Sequence, residues 1–221
     1  MATLDTFMQD ISLFMTSQKF IANLSSVSTE DRTKIGASKV RGKAIINTLA
    51  YIKTNFQKNE YEKLISKLEI PTQILLRKKI IENDWYQLAI LIELNIHIVN
   101  LFLKGDIHKL QALGEYGGEH LISVMKIIKL KLSDIKATAE FIKDLLEWYY
   151  IPATVLITTC ENKHIAFELN EIFDPSHTII ERFSGIIKAI LRKRGFKHIE
   201  INSQIVKNKA DSYILQAIWA D

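Results

Sequence analysis

Residues 154–170, TVLITTCENKHIAFELN, decide the fold of this chain. Thr154 to Cys160 alternates β-branched and apolar residues, and His164 to Leu169 alternates again with Ile165, Phe167 and Leu169 on one face. Two runs of period two separated by the polar Glu161-Asn162-Lys163 read as a β-hairpin. Downstream, Asp174-Pro175 offers an N-cap oxygen followed by a proline at the first helical position, where a missing N–H costs nothing. The helix that follows puts Ile179, Ile180, Phe183, Ile187, Ile190 and Leu191 on one broad stripe, with Glu181, Arg182, Lys188, Arg192 and Lys193 away from it. Gly195, after the basic run Arg192-Lys193-Arg194, is the stop signal. Ile199 and Ile201 mark a third strand and Tyr213, Leu215, Ala217 and Trp219 a fourth, joined through Lys207-Asn208-Lys209. From Trp148 to Asp221 the order is β-hairpin, helix, β-hairpin, and the expected class is α+β, with N-terminal helices packed on a small antiparallel sheet.

Upstream of this block the chain reads as helices. Leu4, Phe7, Met8, Ile11, Phe14 and Met15 recur at helical spacing up to about Gln18, and the polar run Ser25 to Asp31 reads as a linker. Residues 1–38 are therefore expected to form an amphipathic helix and linker, and residues 39–221 a single α+β domain. Ile45, Ile46, Leu49, Ile52 and Phe56 define one helix, and Tyr61, Leu64, Ile65 and Leu68 a second that ends before Pro71. Ile74 and Leu75 give a brief third, and a loop with Asn83, Asp84, Trp85 and Tyr86 leads into a long apolar helix near Leu88 to Leu103. Gly105-Asp106 closes that helix and caps the next, which runs to about Lys131; Ser133-Asp134 opens a last one through Trp148.

Composition narrows the function. The 221 residues are 48% hydrophobic and 24% charged, an ordinary globular balance with ample length for a core. A net charge of +4 is mild, and the clusters Arg77 to Lys79, Lys126 to Lys131 and Arg192 to Lys197 sit at helix ends without interleaved aromatics, so no nucleic-acid partner is expected. The single cysteine, Cys160, allows no intrachain disulfide and no multi-cysteine metal site, which fits a reduced, cytoplasmic setting. Asp5 and Asp10 stand where a secretory signal would be basic and then apolar. Glu93, Asn95, His97 and Asn100 interrupt the longest apolar run, which reads as a buried helix rather than a transmembrane segment.

Few residues carry pointed chemistry. Gly114, Gly117 and Gly118 share one helix with Tyr116, Glu119 and His120. Glycine costs roughly 1 kcal/mol against alanine inside a helix, so three at this spacing need a reason, either a close helix crossing or a groove left open for a ligand. His97 and His120 have no second histidine at i+3 or i+4 to make a metal pair, and a structural role is the simpler reading. Cys160 has only His164, across the hairpin, as a local base. No phosphate-loop, dinucleotide, nucleophile-elbow or zincin pattern occurs, and neither a catalytic residue nor a metal ligand is assigned.

Val40-Arg41-Gly42-Lys43-Ala44 leading a helix, Trp85-Tyr86 before a long helix, Leu113-Gly114 through Glu119-His120-Leu121, and then the hairpin, helix and strand pair form an order similar to a bacterial family of conserved proteins. That family resembles the ligand-binding domains shared by haem-nitric-oxide sensors, the four-vinyl-reductase domain and the TRAPP vesicle-tethering subunits. The resemblance covers roughly Lys39 to Asp221. It implies a domain that is often dimeric and sometimes holds a hydrophobic small molecule between helices and sheet. The haem sensors carry a Y-x-S-x-R element that clamps the haem propionates; Arg182-Phe183-Ser184 does not reproduce it, and the expectation is a chain without haem or other cofactor. Relatives with cysteines in the last hairpin are matched here by Ala210-Asp211-Ser212-Tyr213, which lacks the thiols.

These readings converge on a non-enzymatic regulatory or sensory domain, homodimeric, taking a small hydrophobic ligand. Trp85, Tyr86, Gly114, Gly117, Gly118 and His120 are expected to line the pocket. The alternative is an adaptor or scaffold with a filled core whose N-terminal helix docks on a protein partner.

Overall fold

The computed structural model describes residues 29–124, 134–207, 209 and 211–220. The amphipathic segment around Leu4 to Gln18 and the basic cluster Lys126 to Lys131 lie outside them. The expected hairpin is present: β4 (Thr154–Glu161) pairs antiparallel with β5 (His164–Asn170), with Val155 opposite Leu169, Ile157 opposite Phe167 and a bulge between Ile157 and Thr159. Lys163 takes positive φ (66°) in the two-residue turn. β6 (Lys197–Ile205) and β7 (Tyr213–Ala220) complete a four-stranded sheet in the order β4-β5-β7-β6. Its inner face, with Val155, Ile165, Phe167, Leu169, Tyr213, Leu215, Ala217 and Trp219 all buried, is the floor of the core.

Eight described helices stand on or beside this floor: α1 (Thr29–Ala37), α2 (Gly42–Asn55), α3 (Lys58–Lys67), α4 (Ile70–Arg77), α5 (Leu88–Phe102), α6 (Leu110–Val124), α7 (Ile135–Tyr149) and α8 (Thr178–Lys193). Their starts follow local chemistry. Asp134 accepts the Ala137 N–H at 2.7 Å to cap α7, and Asp106 accepts the His108 N–H at 3.1 Å in the 3-10 turn before α6. At α3 the capping interaction is reciprocal between Gln57 and Glu60. Pro71 sits in the first turn of α4, where no N–H is needed.

Four expectations change. The end of the polar run, Thr29 to Asp31, belongs to a helix, α1, whose Ile35 is buried. The loop at Trp85-Tyr86 is a strand: β2 (Trp85–Gln87), β1 (Lys39–Arg41) and β3 (Tyr150–Ile151) form a second antiparallel sheet in the order β2-β1-β3. Helix α8 starts at Thr178, three residues beyond Pro175, because His177 adopts a left-handed conformation (φ 57°). The Asp174 carboxylate still satisfies the helix start, accepting the Ile179 N–H at 2.7 Å across the turn. Finally, Glu181 and Arg182 are not solvent-facing: both are buried, because α8 is covered on several sides by α6, α5, the 3-10 turn and the sheets.

α6 and α8 make the tightest crossing. A Cβ on Gly114 would lie 2.1 Å from the Arg182 carbonyl oxygen, and one on Gly185 would lie 2.0 Å from the Gln111 carbonyl oxygen. Gly118 meets the Ala189 Cβ in the same contact, whereas Gly117 faces only the Asn47 amide of α2, 3.4 Å away. No single described helix is long and apolar enough to cross a membrane; α5 and the Ile107–His120 stretch pass that test only as a pair bent by 112°.

Helix α4 is tied to α5 by a buried acid. Glu93, 2% exposed, accepts the Glu69 N–H at 2.5 Å and the Thr72 hydroxyl at 2.7 Å. Burial raises its carboxyl above the ordinary value, and those two hydrogen bonds pull it back in part.

Two predictions follow from this packing. Gly114→Ala or Gly185→Ala forces backbone apart and should lower stability by roughly 1–3 kcal/mol or more, while Gly117→Ala should be neutral or raise it by up to about 1 kcal/mol, in urea melts. Equal losses at all three positions would contradict the crossing. A folded-state carboxyl raised above its unfolded value gives stability at low pH that is lost as pH rises through the folded value. The melting temperature of the native chain should therefore fall relative to Glu93→Gln as pH rises from the ordinary glutamate value of 4.5; parallel pH curves would sink the assignment.

Candidate functional site

The site is assembled around α8. Asp174 fixes its start by accepting from the Ser176 and Ile179 N–H groups and from the Thr178 hydroxyl at 3.0 Å. One turn further on, the Gly114–Gly185 crossing sets how closely α6 approaches the Arg182 backbone. The Arg182 side chain runs inward and is 3% exposed. Its Nη1 donates to Thr48 Oγ1 at 2.7 Å and to Asn95 Oδ1 at 3.0 Å, and its Nη2 donates to the Ala44 carbonyl at 3.3 Å. Three elements, α2, α5 and α8, therefore meet at one guanidinium.

Two features make this cation unusual. Every acceptor it reaches is neutral, and no ion pair to it forms among the described residues. Its Nε is buried without a hydrogen-bond partner. An arginine taken out of water costs several kcal/mol by order of magnitude, and neutral acceptors return only part of that. A buried carboxylate is reached only through a relay: Asn95 Nδ2 donates to Thr178 Oγ1 at 3.2 Å, and that hydroxyl donates to Asp174.

Tyr150 closes the site from the second sheet. Tyr86, Val40 and Tyr150 lie in one row across the inner face of β2-β1-β3, since Val40 is in register with both tyrosines. Tyr150 packs its ring edge-on against Phe183, centroids 4.7 Å apart. Burial pushes the Tyr150 phenol up to about 12, and the neighbouring Arg182 charge pulls the other way. Burial likewise raises the phenol of Tyr149, and lowers Arg182 while the two tyrosines oppose that shift. Both side chains are protonated phenols here, not phenolates, and carry no charge.

The six residues expected to line one pocket are spread over separate places. Gly114 and Gly118 lie in the α6–α8 crossing, Gly114 directly on the Arg182 backbone. Gly117 faces Asn47, the neighbour of Thr48; His120 is at the surface with its ring on Tyr116 and Nδ1 2.9 Å from the Tyr116 carbonyl oxygen. Tyr86 is on the inner face of the second sheet, packed over Gly42, and its hydroxyl accepts the Ile81 N–H at 3.0 Å. Trp85, one residue earlier, is on the outer face against Arg41. Arg182, Asn95 and Thr48 were not marked. An arginine within an amphipathic helix reads as its solvent side, and the only local hint is the small Ser184-Gly185 pair beside it, which admits neighbours close to the helix.

Elsewhere the titratable groups are engaged locally. Glu181, buried beside Arg182 in sequence, accepts from Gln111 Nε2 at 2.9 Å and faces His108 Nδ1 at 3.1 Å. His177 Nδ1 lies 3.1 Å from the Tyr213 hydroxyl, and His97 faces Lys67 and Glu69, where burial lowers its pKa. Burial raises the Cys160 thiol, the opposite of nucleophile activation. The described residues contain no group of three or more His, Cys, Asp or Glu placed to hold a metal ion.

No family model matches the sequence, and no curated protein matches it. Among solved structures the chain is similar to an H-NOX protein from S. oneidensis in the Fe(II)NO ligation state, at 14% identity, covering 82% of this chain and 99% of that one with a TM-score of 0.62. An Fe(II) unliganded H-NOX protein from K. algicida gives 12% identity, 82% and 97% coverage and a TM-score of 0.54. A structure concerned with haem redox potential and porphyrin distortion gives 6%, 80% and 99%, and 0.51. At these identities the likeness shows the fold: an H-NOX-like α+β architecture, as the element order suggested.

The neighbours correct one expectation. Reading the missing Y-x-S-x-R element as a chain without a cofactor does not stand, because the structures that share this architecture concern Fe(II) and haem. The physical reason is that a local motif records one way of holding carboxylates, whereas Arg182 brings a buried cation from another position. Tested against haem, the residues fit its carboxylates: Arg182 has an unshared Nε and, among the described residues, no ion pair. They do not bring an imidazole to the same place. His97, two residues beyond Asn95 on α5, faces α3, and His108 and His177 are held by Glu181 and Tyr213.

Arg182→Met should leave the Asn95 carbonyl oxygen without its donor and cost about 1–3 kcal/mol in a denaturant melt. Adding Asn95→Leu should recover most of that loss, because the stranded acceptor goes with it. Strict additivity of the two losses would show that Arg182 and Asn95 do not act as a unit.

Proposed function

We propose that this chain is a non-enzymatic sensory domain whose ligand is a largely apolar molecule carrying a carboxylate, haem included, with the acid group received by Arg182. The observation that carries this reading is the buried guanidinium with neutral acceptors and an unshared Nε. A carboxylate there completes the charge balance that the described residues leave to a relay. Tyr150 and Phe183 supply aromatic surface on the two elements that meet at the cation; Tyr86 shares the second sheet with Tyr150, and Gly117 faces Asn47, the neighbour of Thr48.

The fold supports the same reading, since an H-NOX protein of this architecture is known with NO on Fe(II). Haem, when bound, supplies an iron that takes a diatomic gas; this chain's residues would hold its carboxylates and exclude water. A ligand of this kind works as a signal by binding one state of the domain better than another. Homodimerisation, implied by the family resemblance, belongs to the same proposal.

Native mass spectrometry of the purified chain, followed by titration with haemin and with a long-chain fatty acid, tests it. The expected result is stoichiometric extra mass or saturable binding, with a Soret band where haemin is the ligand. A charge-assisted contact predicts roughly ten- to hundredfold weaker binding for Arg182→Met and smaller loss for Arg182→Lys. A chain that binds neither probe, or binds both equally well without the Arg182 charge, overturns the reading and favours a scaffold with a filled core.

A further inference from the structure

The second sheet has an outer face as well as an inner one. Because side chains alternate along a strand, Lys39, Arg41, Trp85 and Ile151 point away from the core where Val40, Tyr86 and Tyr150 point into it. The Arg41 guanidinium carbon lies 3.8 Å from the Trp85 ring centroid and 5.2 Å from that of Trp148, at the end of α7. Arg41 Nε donates to the Trp148 carbonyl at 3.3 Å and Nη1 to the Asn83 carbonyl at 2.5 Å. The result is a fixed Trp–Arg–Trp stack. Trp148 and Ile151 are 37% and 38% exposed, so large apolar side chains stand in water beside two cations, Lys39 and Arg41. Tryptophan and arginine held rigidly at a surface are the residue types that dominate binding hot spots.

We propose that this outer face is the docking site of the chain's own N-terminal segment, Leu4 to Gln18. Three observations favour that occupant. The first is chemistry: the segment offers Leu4, Phe7, Met8, Ile11, Phe14 and Met15 at helical spacing, which suits an apolar aromatic surface. The second is charge. Residues 1–18 contain Asp5 and Asp10 and no lysine or arginine, and they meet a sheet face bearing Lys39 and Arg41.

The third is tether geometry. α1 leads into β1 within two residues and, with nine residues, is about 13.5 Å long. The ten residues from Lys19 to Ser28 span up to about 35 Å when extended, so the tether reaches the face of β1 without strain. A short tether also raises the effective concentration of the segment to roughly the millimolar range, enough for a modest contact to stay closed. The docking does not depend on the carboxylate site, and either can fail alone.

Hydrogen exchange on the full chain tests it. The amides of residues 4–18 should exchange at least tenfold more slowly than in an unstructured peptide. Ile151→Asp, which sets a like charge opposite Asp5 and Asp10 at an exposed position, should abolish that protection, as should Trp148→Ala. The reciprocal variant, Phe7→Asp with Ile11→Asp, should move tryptophan emission to longer wavelength, because two of the three tryptophans line the face. A segment that exchanges freely in the native chain, or whose protection survives both surface variants, overturns the proposal. Protection that disappears on dilution together with a loss of dimer mass also overturns it, since a second copy's segment would then be the occupant.

Discussion

The crossing of α6 and α8 is the constraint on which the rest of this structure depends. Gly114 opposes a backbone carbonyl of α8 and Gly185 opposes a backbone carbonyl of α6, each at a distance no Cβ can share. Two helices this close leave no side-chain layer between them, so the side chains of α8 that do not face α6 must be accommodated on its other sides. Arg182 is the consequence. Its own carbonyl is in the crossing, and its side chain is directed to α2 and α5, where Thr48, Asn95 and the Ala44 carbonyl receive it. A bulkier residue at either glycine would displace the guanidinium along with the helix.

The handling of that charge separates this site from an ordinary buried ion pair. Asp174 is also buried, yet it is spent on the start of α8, where it accepts two backbone N–H groups and two hydroxyls. Thr178 and Asn95 transmit its field to Arg182 through oriented dipoles rather than direct contact. Such relays hold a cation in place but leave its desolvation only partly offset. Tyr149 and Tyr150, kept protonated by burial, add hydroxyl dipoles and no charge. Of the terms present, geometry is over-determined and charge is under-compensated, which is the combination expected where a ligand supplies the missing anion.

Much of the architecture was legible in the chain. The alternation in Thr154 to Leu169 gives strands because one face is buried and one is wet, and Asp134 and Asp106 cap their helices by local hydrogen bonds that spacing alone reveals. What was not legible depends on contacts distant in sequence. β1, β2 and β3 have three, three and two residues, too few for any period to show, and they pair only because the tertiary fold brings Lys39 to Arg41 between segments some 45 and 110 residues away. The glycines of α6 announced a packing reason but not which neighbour each one meets. Arg182 was hidden for the opposite reason: an amphipathic stripe assumes one buried side, and α8 is buried on nearly all of its length and circumference.

The short strand β3 joins the inner and outer faces of the second sheet. It has two residues, and alternation sends Tyr150 to Arg182 and Ile151 to the Trp–Arg–Trp face. A strand this short has no interior in which a displacement can be absorbed, so a backbone shift at Tyr150 on the inner side also moves Ile151 on the outer side. Trp148, one turn earlier, is fixed to the same sheet through its carbonyl and Arg41. An event at the cation is therefore separated from the exposed face by a single layer of backbone. A ligand with different affinities for two positions of Tyr150 has, by linkage, different effects on whatever occupies the outer face. Coupling of that kind needs no long pathway, only one rigid strand read from both sides.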